Sequence, residues 1–341
     1  TLTPAAHEQP LWPFPLRPNK ALLADPDVRN AFIEAAVLLL IAVCLAGRAA
    51  LFRRWRWPIL ALMAGLIWYS NKVIDDAPFL DPILIEASPV SYYQSPTGFT
   101  SDSVAQGAHL FAENCVPCHG VDGRGDGPAA AGLPVPPANL ALEHVWGHSD
   151  GEMFWWLTKG IEVRGHGIVM PAFGDVLSDD DRWALIDYIH AHLAGATMAG
   201  KGLWTVPAAA PSVAAVCSDG MEFDLKERRG SFVRVIALGP NDVGPPPSNE
   251  VVVLLTTKRV ETPGCVAEGD VIWDAYAVMA HVAPDQLAGT QFLIDPSGWV
   301  RWSVGPQDAA AWSNPAELRK TIAVIASHPL AAGGGGGHHH H

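Results

Sequence analysis

The sequence predicts a multidomain protein: a two-helix transmembrane hairpin, then an all-α domain, then an α/β domain. Three observations carry that expectation. Two apolar runs, residues 31–52 and 57–74, are joined by an arginine-rich loop. Residues 99–196 are punctuated by helix-start signals and hold a closely spaced cysteine pair. Beyond residue 215 the texture changes to β-branched apolar runs of strand length separated by glycine and proline. The expected divisions are an extended segment 1–30, the hairpin 31–74, a linker 75–98, the helical domain 99–196, a second linker 197–215 and the α/β domain 216–330. The tail 333–341, five glycines and four histidines, reads as a purification tag. A chain that opens on Thr1 is expected to be a processed form or a piece of something longer.

Hydrophobic residues make up 49% of the 341 and charged residues 17%, which suits a membrane portion beside soluble parts. The net charge of −13 is unevenly spread. Residues 1–98 balance eight Lys/Arg against eight Asp/Glu, whereas 99–196 set four against thirteen and 203–330 nine against fourteen. With no basic patch in the soluble parts, nucleic-acid binding is excluded as a leading function. An acidic surface suits a basic protein partner or simple solubility.

In the first segment Pro4, Pro10, Pro13, Pro15 and Pro18 favour extended chain, because proline lacks the N–H that a helix needs. The run 31–52 has about the ~20 residues a membrane helix requires. Trp55, Trp57, Trp68 and Tyr69 lie near the ends of the second run, as interfacial aromatics do. Arg48, Arg53, Arg54 and Arg56 place the connecting loop in the cytoplasm, so both flanks lie outside, in the periplasm of a bacterial inner membrane. The lipid bilayer is then a partner, Cys44 a small packing residue within the first span, and 75–98 a proline-bearing linker.

The stretch "NCVPCHG" presents Cys115, Cys118 and His119. C-x-x-C-H is the attachment signature of c-type haem: both thiols reach one porphyrin while the adjacent imidazole meets the iron. Zinc would need a second ligand pair at similar spacing, and Cys217 and Cys265 are single and distant. A redox dithiol would follow a strand, whereas a helix precedes this pair. Ser103 with Gln106 is expected to cap that helix, which runs to about Asn114 with Gly107 and Phe111 on one face. Ser149 with Glu152 opens a middle helix that ends by Gly160. Ser178 with Asp181 opens a last helix whose Trp183, Ile186, Ile189 and Leu193 form an apolar stripe. A second iron ligand is expected in the loop before that helix, where "GIVMPAFGD" holds Met170, fifty-one residues after His119. Met153 and His166 compete for the position; His144, His148, His190 and His192 read as surface or helix residues.

On the C-V-P-C-H, the Met-Pro and the two flanking helices, residues 99–196 resemble mono-haem class I cytochromes c. The resemblance implies one covalently attached haem c, with Cys115 and Cys118 as thioether anchors, His119 as proximal and Met170 as distal ligand, and 134–137 along the haem edge. "GVDGRGDGPAAAGLPVPPANL" and "HSDGEMFWWLTKGI" resemble, more narrowly, cytochrome domains fused to copper-resistance D-type membrane proteins, although those fusions carry more membrane helices than the two runs here.

In the last domain "SFVRVIALG" and "EVVVLLTT" read as buried strands, 269–280 as a helix, and "TQFLIDPSGWVRWSV" as a hairpin turned at Asp295, Pro296, Ser297 and Gly298. A closing helix follows Pro315. "FDLKERRG" and "FLIDPSGWVRW" resemble the thioredoxin-like fold of peroxiredoxin and copper-chaperone relatives. The position where that family carries its cysteine pair reads "GPNDVGPPPSNE", so dithiol chemistry is not expected. Cys217 and Cys265 are a candidate disulfide in an oxidising compartment; Cys265 with Met279 and His281 is a candidate copper site. The leading function is a membrane-anchored mono-haem cytochrome relaying single electrons, with no catalytic residues of its own, inside a terminal oxidase or membrane dehydrogenase whose subunits are its partners. The alternative is a copper-handling or oxidase-assembly factor.

Overall fold

The computed structural model describes residues 93–330 apart from 143, 144, 147, 164, 165, 228, 229, 240, 241, 243–250, 259 and 261, and with them 16–18, 84–86 and positions 37, 41, 57, 64 and 65. The chain divides into two compact units, residues 12–87 and the remainder. In the first, β1 (Leu16–Pro18) pairs antiparallel with β2 (Leu84–Glu86), Arg17 opposite Ile85. Nearly all of the apolar hairpin expected over 31–74 lies outside the described residues. Among those described, no helix is long and apolar enough to cross a membrane.

The second unit opens with a helical domain. Its first helix, α1 (Ser101–Asn114), is capped by Thr100, whose hydroxyl accepts from the Ser103 N–H. This corrects the expected Ser103–Gln106 box. The two hydroxyl residues stand three apart, and the one further upstream meets the free amides. Ser103 instead turns its hydroxyl to the Asp187 carboxylate at 2.6 Å, and Gln106 reaches Asp181 at 2.6 Å. A single turn, α2 (Val116–His119), carries the cysteine–histidine motif. Ser149 caps α3 (Asp150–Lys159), which ends at Gly160. A short hairpin follows, β3 (Ile161–Val163) against β4 (Gly167–Met170), and then α4 (Asp179–Met198) with the full Ser178–Asp181 capping box.

α4 is buried on nearly every side, and its buried residues include the polar Arg182, Asp187, His192 and Thr197 beside the apolar ones. Trp183, Ile186, Ile189 and Leu193 enter the helical core beside Phe111, Phe154 and Leu157. Ala191, Ala194 and Met198 enter the core of the following domain. α1 crosses α4 at Gly107, where any Cβ would collide with the Ala184 carbonyl and lie 2.7 Å from the Tyr188 Cβ. One turn along, the Phe111 and Tyr188 rings meet at 5.0 Å.

The last domain is a seven-stranded mixed sheet in the order β11-β10-β7-β8-β9-β5-β6. Its strands are β5 (Ala214–Cys217), β6 (Glu222–Asp224), β7 (Val233–Ala237), β8 (Val251–Thr256), β9 (Cys265–Glu268), β10 (Gln291–Ile294) and β11 (Val300–Val304). β7, β8 and β9 run parallel; the remaining pairs are antiparallel. One face, with Val235, Val253, Leu255 and Phe292, packs on α5 (Asp270–Ala280) and on the helical domain. The opposite face packs Leu293 and Trp302 beside α6 (Pro315–Ser327) through Leu318 and Ile325.

The Ala/Pro-rich connector after α4 is held at both ends by backbone bonds. The Trp204 and Ala210 amides donate to Arg301 and Gly298, and the Val300 amide to Ala208, so this stretch lines β11. Ser212 then bridges back to Phe99 and Ser101 at the start of α1. Arg301, 1% exposed, donates to the Trp204 and His328 carbonyls and pairs with Asp295 at 3.1 Å, fixing connector, hairpin and C-terminal helix together. Val104, Ala191, Ala194 and Met198 of the helical domain join the sheet domain in one apolar cluster, while the rest of the helical core forms its own.

Candidate functional site

α1 ends as the Cys115 amide bonds the Phe111 carbonyl, and the chain turns at once into α2. The amides of Cys118 and His119 both return to the Cys115 carbonyl, so the two thiols and the imidazole project from one compact turn. Gly120 leaves that turn with φ 75°, a backbone region that favours glycine. The Gly125 amide then closes the loop on the His119 carbonyl at 2.8 Å, and Leu140 donates to the Gly123 carbonyl at 2.6 Å. Cys115 and Cys118 are free thiols. Burial, then the neighbouring Cys118, pushes the Cys115 thiol up to about 12. His119 places Nδ1 3.0 Å from the Ala138 carbonyl. With Nδ1 as donor, Nε2 carries the lone pair that can meet a metal.

Met170 closes β4 opposite Ile161. It is half-buried against the same core that receives Cys115, Val116, Leu140 and Phe173. Gly160 makes this possible: with φ 76°, it brings the end of α3 so close that a Cβ would lie 2.5 Å from the Met170 carbonyl and 3.0 Å from Pro171. The fold thus brings the C-x-x-C-H turn and Met170 to one apolar core. Of the other candidates, Met153 is buried within that same core, and His166 is exposed at the β3–β4 turn.

This arrangement fits a haem c. It offers two free thiols at the required spacing, an imidazole oriented through Nδ1, and a half-buried thioether among apolar side chains. Among the described residues no cluster of three or more His, Cys, Asp or Glu is placed to hold a metal ion. The copper site expected at Cys265, Met279 and His281 is not formed. Cys265 is disulfide-bonded to Cys217 across β9 and β5, Met279 is fully buried in the shared core, and His281 faces His192.

Two histidines expected as surface or helix residues do lie on a helix, α4, and each also makes a specific polar contact. His190 is half-buried and binds the Asp150 carboxylate of α3 at 3.1 Å. Burial opposes its charge, but the bond to Asp150 and the nearby carboxylates hold its pKa above the ordinary value. His192 is buried and lies 2.8 Å from the Asp122 carbonyl, three residues past the motif. His144 lies outside the described residues, and His148 contacts Glu152 at 3.3 Å. Asp187, also on α4, receives Ser103 and Thr97 on one carboxylate oxygen; burial lifts its pKa to about 6.

Residues 102–189 match the family described as cytochrome C oxidase, cbb3-type, subunit III. The "Cbb3-type cytochrome c oxidase subunit FixP" of Azorhizobium caulinodans is 38% identical over 153 residues, 41% of this chain and 49% of that protein. The "Cbb3-type cytochrome c oxidase subunit CcoP" of Azospirillum brasilense is 29% identical over 170 residues, 45% of this chain and 55% of that protein. A "Cytochrome c550" of Pseudomonas aeruginosa is 26% identical over 116 residues, 34% of this chain and 74% of that protein. The chain spans about half the length of the two oxidase subunits it resembles. Its helical domain is a cytochrome c domain of the cbb3 oxidase subunit III type, followed by a sheet-rich domain.

Proposed function

We propose that this protein is a membrane-anchored mono-haem cytochrome c that relays single electrons between membrane respiratory complexes, as a subunit of a terminal oxidase or of a membrane dehydrogenase. The observation that carries the reading is the C-x-x-C-H turn, with His119 oriented on the Ala138 carbonyl, inside the segment that matches the oxidase subunit family. When bound, haem c supplies a one-electron iron couple. Cys115 and Cys118 anchor it, His119 holds one axial side and Met170 the other; a thioether there favours ferrous iron and raises the potential. A single C-x-x-C-H in the 341 residues supports one haem.

The anchor is the hairpin 31–74, its loop arginines cytoplasmic and its soluble parts periplasmic. The pairing of β1 with β2 supports this topology, because residues before and after the hairpin meet on one side of it. The sheet domain is thioredoxin-like. In support, β7 and β8 run parallel, β10 and β11 follow antiparallel on the other flank, and α6 closes the chain. Its crossover between β7 and β8 contains no cysteine, which argues against dithiol exchange by the thioredoxin route and leaves partner docking as the role proposed for the domain. Purification of the full chain from its own membranes tests the reading. Oxidase or dehydrogenase subunits should accompany it, and its reduced haem should reoxidise through them in a cyanide-sensitive or donor-dependent way. A chain recovered alone, with a haem indifferent to those complexes, would sink it.

A further inference from the structure

The loop that follows the C-x-x-C-H turn is held by a side chain from α4, and that side chain is in turn backed by the sheet domain. His192 bonds the Asp122 carbonyl through Nε2 at 2.8 Å and packs its ring edge against Gly123. Tyr188, one turn earlier on α4, stacks on the ring at 5.6 Å. On the other side stands His281, its ring 5.3 Å away and tilted by 64°. Burial keeps the His192 pKa below its ordinary value against the pull of the Asp122 carbonyl, and His281 adds to the lowering; facing a carbonyl oxygen, Nε2 is the donor.

The position of His281 is unusual. It ends α5 with φ 53° and ψ 46°, left-handed backbone where glycine is common. Among the described residues Phe99 is the only other non-glycine with positive φ. Histidine enters this region more readily than most non-glycine residues, and His281 does so while exposed, with its ring against His192. Gly195, three residues after His192, allows the approach, since a Cβ there would lie 2.6 Å from the Val278 carbonyl and 3.2 Å from the His281 Cβ.

From Asp122 the contacts run on to the imidazole of the motif. Gly123 accepts from the Leu140 amide, Leu140 stands two residues past Ala138, and Ala138 accepts from His119 Nδ1. The Gly125 amide returns to the His119 carbonyl. We infer that His281 and His192 are positioning residues through which the sheet domain holds the loop 120–125 and sets the hydrogen bond that orients His119. The inference rests on reading His119 as an iron ligand. An outer partner of a ligating imidazole fixes its orientation and basicity, so loosening the loop changes the iron's surroundings without touching it.

The test uses the full, haem-loaded chain. His281→Gly removes the imidazole while suiting the left-handed backbone, so the helix end survives; His192→Leu removes the donor, and His192→Gln restores one. We expect His281→Gly and His192→Leu to shift the midpoint potential and the electron paramagnetic resonance of the ferric haem. Both should also speed exchange of the Gly125 amide by about tenfold, the scale of one lost hydrogen bond. His192→Gln should stay near the parent in all three. A His281→Gly variant with full haem and unchanged potential, spectrum and exchange would overturn the inference, as would a shifted potential with unchanged Gly125 exchange. A parent chain without covalent haem would instead overturn the ligand assignment of His119.

Discussion

Replacing Asp187 with asparagine should remove a pH dependence from the stability of the cytochrome domain. The carboxylate is 2% exposed, and a single oxygen of it meets the hydroxyls of both Thr97 and Ser103. Ser103 also lies 2.9 Å from the Thr100 carbonyl, and its one proton cannot serve both acceptors. A protonated Asp187 resolves the conflict by donating to Ser103, which then donates to Thr100. Burial lifts the pKa from 3.8 to about 6 against the pull of these hydroxyls. The folded chain therefore keeps a proton between about pH 4 and 6 that the unfolded chain releases, and stability falls as pH rises through that window. A rise from 3.8 to about 6 corresponds to about 3 kcal/mol, lost by pH 7. Asparagine, neutral at every pH, should be at least as stable as the parent at pH 7.5 and should flatten the difference between pH 4.5 and 7.5 by about 2 kcal/mol, the part of that loss that falls inside this range. Chemical denaturation of the haem-loaded chain at both pH values measures it. A variant that retains the whole parental pH slope would refute the reasoning.

Met170→Ala should leave the haem covalently attached but lower its midpoint potential and abolish the weak sulfur-to-iron charge-transfer band of the oxidised spectrum; an unchanged band would pass the ligand role to another residue. Replacing Cys217 and Cys265 together by serine should cost about 2–4 kcal/mol in denaturant unfolding, because the bridge closes a sequence separation of 48. Its only neighbouring register pair between β5 and β9 is Val216 with Val266, so proteolysis should cut first near the β5–β6 hairpin. Unchanged stability and cutting pattern would show that the bridge staples nothing.

The parts legible in the sequence were those that carry their cause locally. The Ser178 box, the Ser149 cap, the turn at 295–298 and the strands β7 and β8 each follow from a few adjacent residues. The cysteine–histidine turn does too, since its chemistry is written into its spacing. The cap of α1 was not legible, because Thr100, Ser101 and Ser103 all offer hydroxyls and only the backbone decides among them. Strands β5, β6 and β9, at three or four residues, are too short for alternation to declare them. Residues 204–210 look like a linker in composition, yet extended chain needs only its peptide groups to line β11. His190 and His192 acquire roles from Asp150, Asp122 and His281, which lie far from them along the chain.

The most direct measurement is the intact mass of the purified full chain together with its reduced pyridine spectrum. One haem c should be covalently bound per chain, and it should disappear from the covalent fraction when Cys115 and Cys118 are both replaced by serine. A chain without covalent haem, or one that keeps it in the double variant, would contradict the assignment on which the proposed electron relay depends.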